Sequence, residues 1–392
     1  MKILIIWAES ISRHTGGSVH FWGLVDGIKS SGCQAKAIVP RYGHADVSNF
    51  EDVSFLQLPP HCLGSFLLLQ ICTVLYLPYW LIKSRPQAVY VRACFFAFLM
   101  HLVCRLAGVP LIFEVDAIVA EEAKMRDQRK IVVWMLNALD KLNYRFADGI
   151  VCVTEGLREE VIRRGANPKT AVAIHNAPRT DVMRPVDQRQ ARQLLGLAED
   201  GYIVGFIGTF APWQGLDLLV QAAKLVVDSG QQSVRFILVG EGQCHEQLEQ
   251  MIEQLGLDRF FSFFAPVPYQ QVSVFNSACD VVVIPIYDPR KLRFGLSPLK
   301  FWDAVSVGVP VLVPQGSQLE GVLQRLDLPG VFSAGDKEDL AKSIIQVLAQ
   351  TKHYLSRRRD VHLTVAKEYS WSRVAEKLLE LCCQVRQRVQ GR

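Results

Sequence analysis

YIVGFIGTFAPWQGLDLLVQAAKLVVDSGQQSVRFILVG (202–240) contains one complete architectural unit. Its ends, YIVGFIG (202–208) and VRFILVG (234–240), are short, nearly continuous apolar runs. That is the pattern of strands buried on both faces of a parallel sheet. Helix-type periodicity fills 215–229 between them. Strand, helix, strand in this order builds an open, doubly wound α/β sheet. Downstream the unit repeats, with strands FFSFFAP (260–266), DVVVIP (280–285) and VPVLVP (309–314), and helical stretches at 243–255, 269–278, 298–307 and 337–350. Upstream it repeats too. KILIIWA (2–8), QAKAIVP (34–40), AVYVR (88–92), PLIFEVD (110–116) and GIVCVT (149–154) read as strands, and 17–31, 65–83, 93–107, 120–146 and 155–164 as helices.

NAPRTDVMRPVDQ (176–188), with two prolines among polar residues, breaks the alternation and reads as a linker. The expected architecture is therefore α/β with two Rossmann-like domains, over 1–180 and 190–370. A last helix in 371–392 follows EYSW (368–371). In such sheets ligands bind outside the carboxyl ends of the strands. Two such domains facing each other leave a central cleft, with a donor on one wall and an acceptor on the other.

The chain has 392 residues, 50% hydrophobic and 21% charged. That length accommodates two domains, and the composition excludes disorder. A net charge of +5 without a dense basic face does not call for nucleic acid. It suits a phosphorylated ligand or anionic lipid. Ten cysteines include no C-x-x-C pair and mostly sit in apolar runs, as do the reduced, buried thiols of a cytosolic protein. Met1–Trp7 leads into Glu9 and a Gly pair, so it reads as a first strand, not a secretory leader.

LGSFLLLQICTVLYLPYWLI (63–82) has no formal charge and is long enough to span a bilayer. However, AVYVR follows at once and should pair with strands that precede the stretch. A single crossing would put those strands on opposite sides of the membrane. The expectation is a long helix packed on the sheet with one face touching lipid. Lys83 and Arg85 end this stretch. Lys124, Arg126, Arg129 and Lys130 precede the apolar Ile131–Met135. Basic residues beside apolar runs suit a peripheral position on an anionic membrane. Ordinary core helices with solvated flanks are the plainer alternative.

Gly16-Gly17 after the first strand lets the backbone approach a phosphate at a helix start, or simply makes a turn. Gly208-Thr209-Phe210 and Trp213-Gln214-Gly215, after the strand 202–208, permit the same two readings. No G-x-G-x-x-G follows either strand, which argues against a dehydrogenase. RKLRFGLSPLKFWDAVSVGVP (290–310) is the most informative segment for chemistry. It places Arg290, Lys291, Arg293 and Lys300 within eleven residues. Ser297-Pro298 reads as a helix cap with Pro at the first helical position. A diphosphate near that helix start gains from the dipole and from Lys300. Asp303, one turn on, could accept sugar or ribose hydroxyls. A surface ion pair between Lys300 and Asp303 is the alternative.

Together these stretches resemble glycosyltransferase family 4, the retaining, nucleotide-sugar-dependent enzymes of GT-B fold. GGSVHFWGLVDGIKSSG resembles the family's opening Gly loop and helix. IVCVTEGLREEVIRRG and AIHNAPRTDVMRP resemble the end of its first domain. GFIGTFAPWQGLDLLVQA, FILVGEGQCHEQLEQMIEQLGL, DVVVIP and GLSPLKFWDAVSVGVPVLVP resemble its second domain in order and spacing. EYSW resembles its closing motif, whose helix crosses back to the first domain. The resemblance implies transfer of a sugar from a nucleoside-diphosphate sugar to a glycan, lipid-linked or small-molecule acceptor, with retained configuration, in polysaccharide or glycoconjugate biosynthesis. It implies no cofactor and no metal, because protein cations stabilise the leaving diphosphate.

The residues carried over for donor binding are Gly16, Gly17, Gly208, Thr209, Gln214, Arg293, Ser297, Leu299, Lys300 and Asp303. The catalytic candidates are Lys300, Asp303 and Asp116. Three departures stand out. The first of the family's two glutamates falls on Gly295, and the second on the shorter Asp303. The family's Lys after the Gly208 strand is Gln214, and no Arg lies in Thr209–Trp213, so Arg293 or Lys291 would have to compensate. The family's catalytic His after PLIFEV is Asp116, which could serve as a base, orient the acceptor, or merely cap a helix. Glu114, Glu121 and Glu122 read either as acceptor contacts or as solvated acids. These departures leave a second expectation open: a family member that binds a sugar nucleotide or partner without turnover.

Overall fold

The computed structural model describes residues 1–11, 15–42, 52–58 and 63–391. Its contacts divide the chain into two units: Met1–Asn176 with Trp371–Arg392, and Ala177–Ser370.

The N-terminal unit contains a seven-stranded parallel sheet. The strands are β1 (Lys2–Trp7), β2 (Gln34–Tyr42), β3 (Val53–Leu58), β4 (Ala88–Arg92), β5 (Leu111–Val115), β6 (Gly149–Cys152) and β7 (Ala171–Ala173), in the order β3-β2-β1-β4-β5-β6-β7. Ile5 lies opposite Ala37 on one side and Tyr90 on the other. β4 and β5 are buried along their whole length, the consequence of helices on both faces. β3 and β7 were not read as strands from the sequence. β3 mixes Ser54 and Gln57 with half-buried apolar residues at a sheet edge, and β7 has three residues. The stretch 120–146 is two helices, Val119–Met125 and Lys130–Phe146, separated by a turn in which Asp127 has φ 50°.

The helix Leu63–Ser84 connects β3 to β4 of one sheet, so it is a crossover and not a span. Among the described residues it is the one helix long and apolar enough to cross a membrane. Nine described cysteines are free, and burial pushes the thiols of Cys94, Cys104 and Cys279 up to about 12. Cys62 lies outside the described residues.

The helix Gly16–Ser30 starts with a reciprocal capping box between Thr15 and Ser18. It begins at Gly16, so the glycine pair forms its first turn and not a preceding loop. Its middle is notched to receive the last helix, Trp371–Gln390. A Cβ on Gly23 would come within 2.2 Å of the Trp371 ring, and one on Gly27 within 2.4 Å of the Trp371 carbonyl oxygen. His20 packs on the same indole with ring centroids 4.8 Å apart.

The C-terminal unit contains a six-stranded sheet: β8 (Tyr202–Ile207), β9 (Val234–Val239), β10 (Phe261–Phe264), β11 (Val281–Val283), β12 (Val311–Pro314) and β13 (Val331–Phe332), in the order β10-β9-β8-β11-β12-β13. All its pairings are parallel. The chain starts in the middle, at β8, runs outward to β10, then returns to β11 on the other side. The strand order reverses between β8 and β11, and ligands of such sheets bind outside the carboxyl ends of the strands at that point. Phe206, Phe236, Phe301 and Trp302 fill the core beneath.

The Gly23 notch generates a prediction. Gly23→Val places a branched side chain where the Trp371 ring lies and should cost about 1–3 kcal/mol by overpacking. Urea unfolding checks it, and an unchanged midpoint would contradict the packing described.

Candidate functional site

The loops after β8 and β11 meet at the switch point of the C-terminal sheet. Gly208 ends β8 with φ 151°, and a Cβ there would lie 2.7 Å from Lys300 Nζ. Only a residue without a side chain lets the lysine come this close. A short 3-10 turn, Pro212–Gln214, follows, then the helix Leu216–Asp228. From the β11 side the chain passes Pro289–Leu292 and enters the helix Leu299–Ser306, which carries Lys300 in its first turn.

Lys300 Nζ donates to Gln214 Oε1 at 2.7 Å and sits 4.1 Å from the centroid of the Phe206 ring. Among the described residues it makes no ion pair with Asp303. Burial pulls its pKa from 10.5 to about 7. Although the residue is half-buried, its ammonium is held by one amide oxygen and an aromatic face, and among the described residues no counter-charge offsets its desolvation. Phosphate oxygens would supply that counter-charge.

The surface ion pair considered from the sequence is therefore absent. The Asp303 side chain is buried and accepts the Tyr269 hydroxyl at 2.6 Å. Burial pushes its carboxyl up from 3.8 to about 7, against the opposing pull of the Tyr269 hydrogen bond. Tyr269 opens the helix Tyr269–Ala278, and no sequence pattern pointed to it.

Ser297 is not the expected helix cap. Pro298 stands at that position with no side-chain cap bond, and the buried Ser297 Oγ accepts from Trp302 Nε1 at 3.2 Å. Leu299 is the half-buried first helical residue, and Thr209 is exposed beside Gly208. Arg293 is exposed and lies against the Phe294 ring, while Arg290 is bonded to Asp288. Of the four cations in the segment, Lys300 is brought to Gly208 and Gln214. The missing family glutamate also has a physical explanation. Gly295 has φ 75°, and a Cβ there would meet the Gln318 amide oxygen at 2.4 Å. A glutamate at this position would be strained by the backbone and would have to displace the Gln318 side chain.

The N-terminal unit has its own cluster at the carboxyl ends of β1, β4 and β5. Arg92, at the end of β4, bonds Asp116 through Nε at 2.9 Å and also through Nη2. Its guanidinium stacks 4.3 Å from the Trp7 ring centroid, and Nη1 lies 3.6 Å from Glu9. Burial opposes its charge, but Asp116, Glu114 and Glu9 together more than reverse that effect and raise its pKa. Glu114 accepts the Tyr90 hydroxyl at 2.6 Å and lies 3.1 Å from His20 Nε2. Burial alone would raise its pKa, but His20, Arg92 and Tyr90 hold it down at about 2.

Asp116 therefore does not cap the following helix, which begins at Val119 without a side-chain cap. It is fixed by Arg92. At the helix start bearing Gly16 and Gly17, a Cβ on Gly17 would fall 1.9 Å from a Glu9 carboxylate oxygen, so a carboxylate already faces this spot. Glu121 is bound by Lys124 and Arg164. Sequence reading missed Glu9, His20, Tyr90 and Arg92. The available signal was charge at the ends of apolar runs: AVYVR stops on Arg92, which the register sets opposite Glu114. Among the described residues no group of three or more His, Cys, Asp and Glu side chains could hold a metal ion.

Two Rossmann-like sheets, one with a desolvated cation at its switch point, define an α/β protein of two Rossmann-like units. The family models agree. Residues 14–182 match "Glycosyltransferase Family 4", and residues 187–360 match "Glycosyl transferases group 1". The chain belongs to this glycosyltransferase family. A D-inositol 3-phosphate glycosyltransferase of Geodermatophilus obscurus is 30% identical over 59% of this chain and 52% of its own length. One from Catenulispora acidiphila is 25% identical over 71% and 67%. The match to the first thus spans about half the length of that relative. Among solved structures, sucrose-phosphate synthase from Thermosynechococcus elongatus superposes with TM-score 0.77 at 14% identity, covering 98% of this chain and 99% of its own. Anabaena HepE in complex with UDP-glucose gives 0.72 at 18%, covering 98% and 100%. These likenesses place the fold among GT-B glycosyltransferases.

The two shifted groups act on stability in opposite pH windows. Lys300 has a folded pKa below its unfolded one, so its cost is full below about pH 7 and vanishes as pH rises through 10.5. Asp303 has a folded pKa above its unfolded one, so its cost is absent below 3.8 and full above about 7. Lys300→Met should therefore raise Tm at pH 6 by about 2–4 °C per kcal/mol relieved, and the advantage should shrink between pH 7 and 10. Asp303→Asn should gain at pH 8 and not at pH 4. Differential scanning calorimetry across pH reads both, and a Lys300→Met variant less stable at pH 6 would contradict the desolvation.

Proposed function

We propose that the protein is a retaining glycosyltransferase that takes a nucleoside-diphosphate sugar and passes the sugar to a glycan, lipid-linked or small-molecule acceptor. The observation that carries this reading is the Lys300 ammonium, held by Gln214 over Phe206 with no carboxylate among the described residues to neutralise it. As the bond from the anomeric carbon to the diphosphate breaks, negative charge grows on the departing oxygens. A preorganised cation in a desolvated place stabilises that charge more than the ground state, which is what lowers a barrier. Gly208 leaves room for the ammonium to reach the strand end, and Gln214 fixes its direction.

Protein cations in this role make a metal unnecessary, so transfer should persist in EDTA. Retention follows the family resemblance. The solved HepE complex contains UDP-glucose, and curated relatives are named as D-inositol 3-phosphate glycosyltransferases, so UDP-sugars are the first donors to test. In the N-terminal unit, Asp116, Arg92 and Glu9 at the strand ends would meet the acceptor, with Asp116 held by Arg92 for orientation. The setting is polysaccharide or glycoconjugate assembly in the cytoplasm, at the inner face of the membrane.

A second reading has specific support. Asp303 is turned inward against Tyr269, and Gly295 has a positive φ that disfavours the family's other carboxylate. A protein that binds the sugar nucleotide without turnover would look the same here.

Thermal shift with UDP-, GDP- and ADP-sugars, followed by transfer assays, separates the readings. Donor binding should raise Tm, by about 2.7 kcal/mol of stabilisation at a hundredfold excess over Kd. Lys300→Ala should lower turnover by about 10²–10³-fold. Binding without turnover on any acceptor would favour the second reading, and no shift with any donor would remove both.

A further inference from the structure

We propose that the helices Leu63–Ser84, Ala97–Leu106 and Lys130–Phe146 form a docking face that seats the N-terminal unit in the interface of an anionic bilayer. The helix Leu63–Ser84 is inverted relative to an ordinary surface helix. Its buried positions include Ser65, Gln70, Thr73 and Ser84 beside Leu69, Leu77 and Leu81. Its exposed positions are Leu67, Leu68, Ile71, Leu75, Tyr76, Tyr79 and Ile82, with Gly64, Pro78 and Lys83. A water-facing surface helix normally shows the reverse. Polar side chains inside and leucines outside indicate that the outer face does not meet bulk water in use.

The apolar exposure continues on neighbouring helices. Leu63–Ser84 packs on Ala97–Leu106, which packs on Lys130–Phe146. The second helix exposes Leu99, Leu102 and Leu106, and the third exposes Ile131, Trp134 and Met135.

Charge selects the occupant. From Val53 to Phe113 the sequence has no Asp or Glu. On the three helices the one carboxylate is Asp140, which is buried. The exposed charges are all positive: Lys83, Arg105, Lys130, Lys141 and Arg145. A second copy meeting this face two-fold would bring those cations together, whereas anionic headgroups neutralise them. Tyr76, Tyr79 and Trp134 supply rings with a polar edge, the side chains that settle at headgroup level. Lys83 Nζ, 5.4 Å from the Tyr79 ring and 5.3 Å from the Trp80 ring, sits at the carboxyl end of the same helix. At 1.5 Å per residue this helix is about 33 Å long and lies along the surface as an interfacial element. It does not cross, because β3 and β4 at its two ends share one sheet.

The inference deepens the membrane-side setting of the proposed transferase, but its test does not depend on transfer. Full-length protein is floated with vesicles of phosphatidylcholine alone and of phosphatidylcholine mixed with phosphatidylglycerol. Binding should require the anionic lipid and weaken with salt. Leu75→Gln with Ile82→Gln, both at exposed positions, should weaken it about 10–100-fold. Lys83→Glu with Arg105→Glu should weaken it fivefold or more. Unchanged melting of each variant shows that the fold survives. Equal binding by wild type and the Leu75/Ile82 variant would overturn the proposal, as would a wild type that binds no vesicles. If such a wild type is a dimer that the variant makes monomeric, the face is a subunit interface instead. Vesicle binding without any donor-induced thermal shift would leave this inference standing while the transferase reading falls.

Discussion

The chemistry of the C-terminal unit depends on one uncompensated charge. Lys300 is carried to the switch point of a parallel sheet by a helix start, held there by an amide oxygen, and placed over an aromatic face. Each neighbouring feature follows from that placement. Gly208 leaves the lysine the space that a Cβ would take, and the Gln214 amide oxygen accepts from the ammonium. A folded protein normally avoids a desolvated ammonium without a partner. Phosphate oxygens arriving at the strand ends would complete it.

The fold was legible in the sequence because parallel strands buried on both faces announce themselves as apolar runs. β4, β5, β8 and β9 were read within a residue or two of their ends. β3, β7 and β13 were missed, since short strands at sheet edges have neither length nor continuous apolarity. Lys300 and Gln214 were legible as residues, but their mutual bond was not, because they lie eighty-six positions apart. The Ser297 cap failed for a local reason: its hydroxyl is engaged by Trp302, five residues on, a contact that no capping pattern encodes. Asp303 was read as facing substrate, whereas its short side chain turns inward to Tyr269 from another helix.

The N-terminal unit follows a different rule. Its strand ends carry a charged cluster in which Arg92 is surrounded by Asp116, Glu114 and Glu9, while His20 and Tyr90 bind Glu114. Arg92 has carboxylates on several sides, whereas the Lys300 ammonium has an amide oxygen and a ring. The same unit buries Ser65, Gln70, Thr73 and Ser84 on Leu63–Ser84 while leaving Leu67, Leu68, Ile71, Leu75 and Ile82 exposed, a pattern visible only once burial is known. The hydropathy of the stretch suggested a span, and the sheet connectivity on either side of it excludes one.

The central claim concerns the electrostatic state of one lysine, and NMR of that side chain tests it most directly. Titration of the Lys300 ammonium, assigned by comparison with Lys300→Met, should give a pKa near 7 in the free protein. Saturation with UDP should raise it markedly, because diphosphate oxygens favour the charged form. A pKa near 10.5 that UDP leaves unmoved would contradict the account.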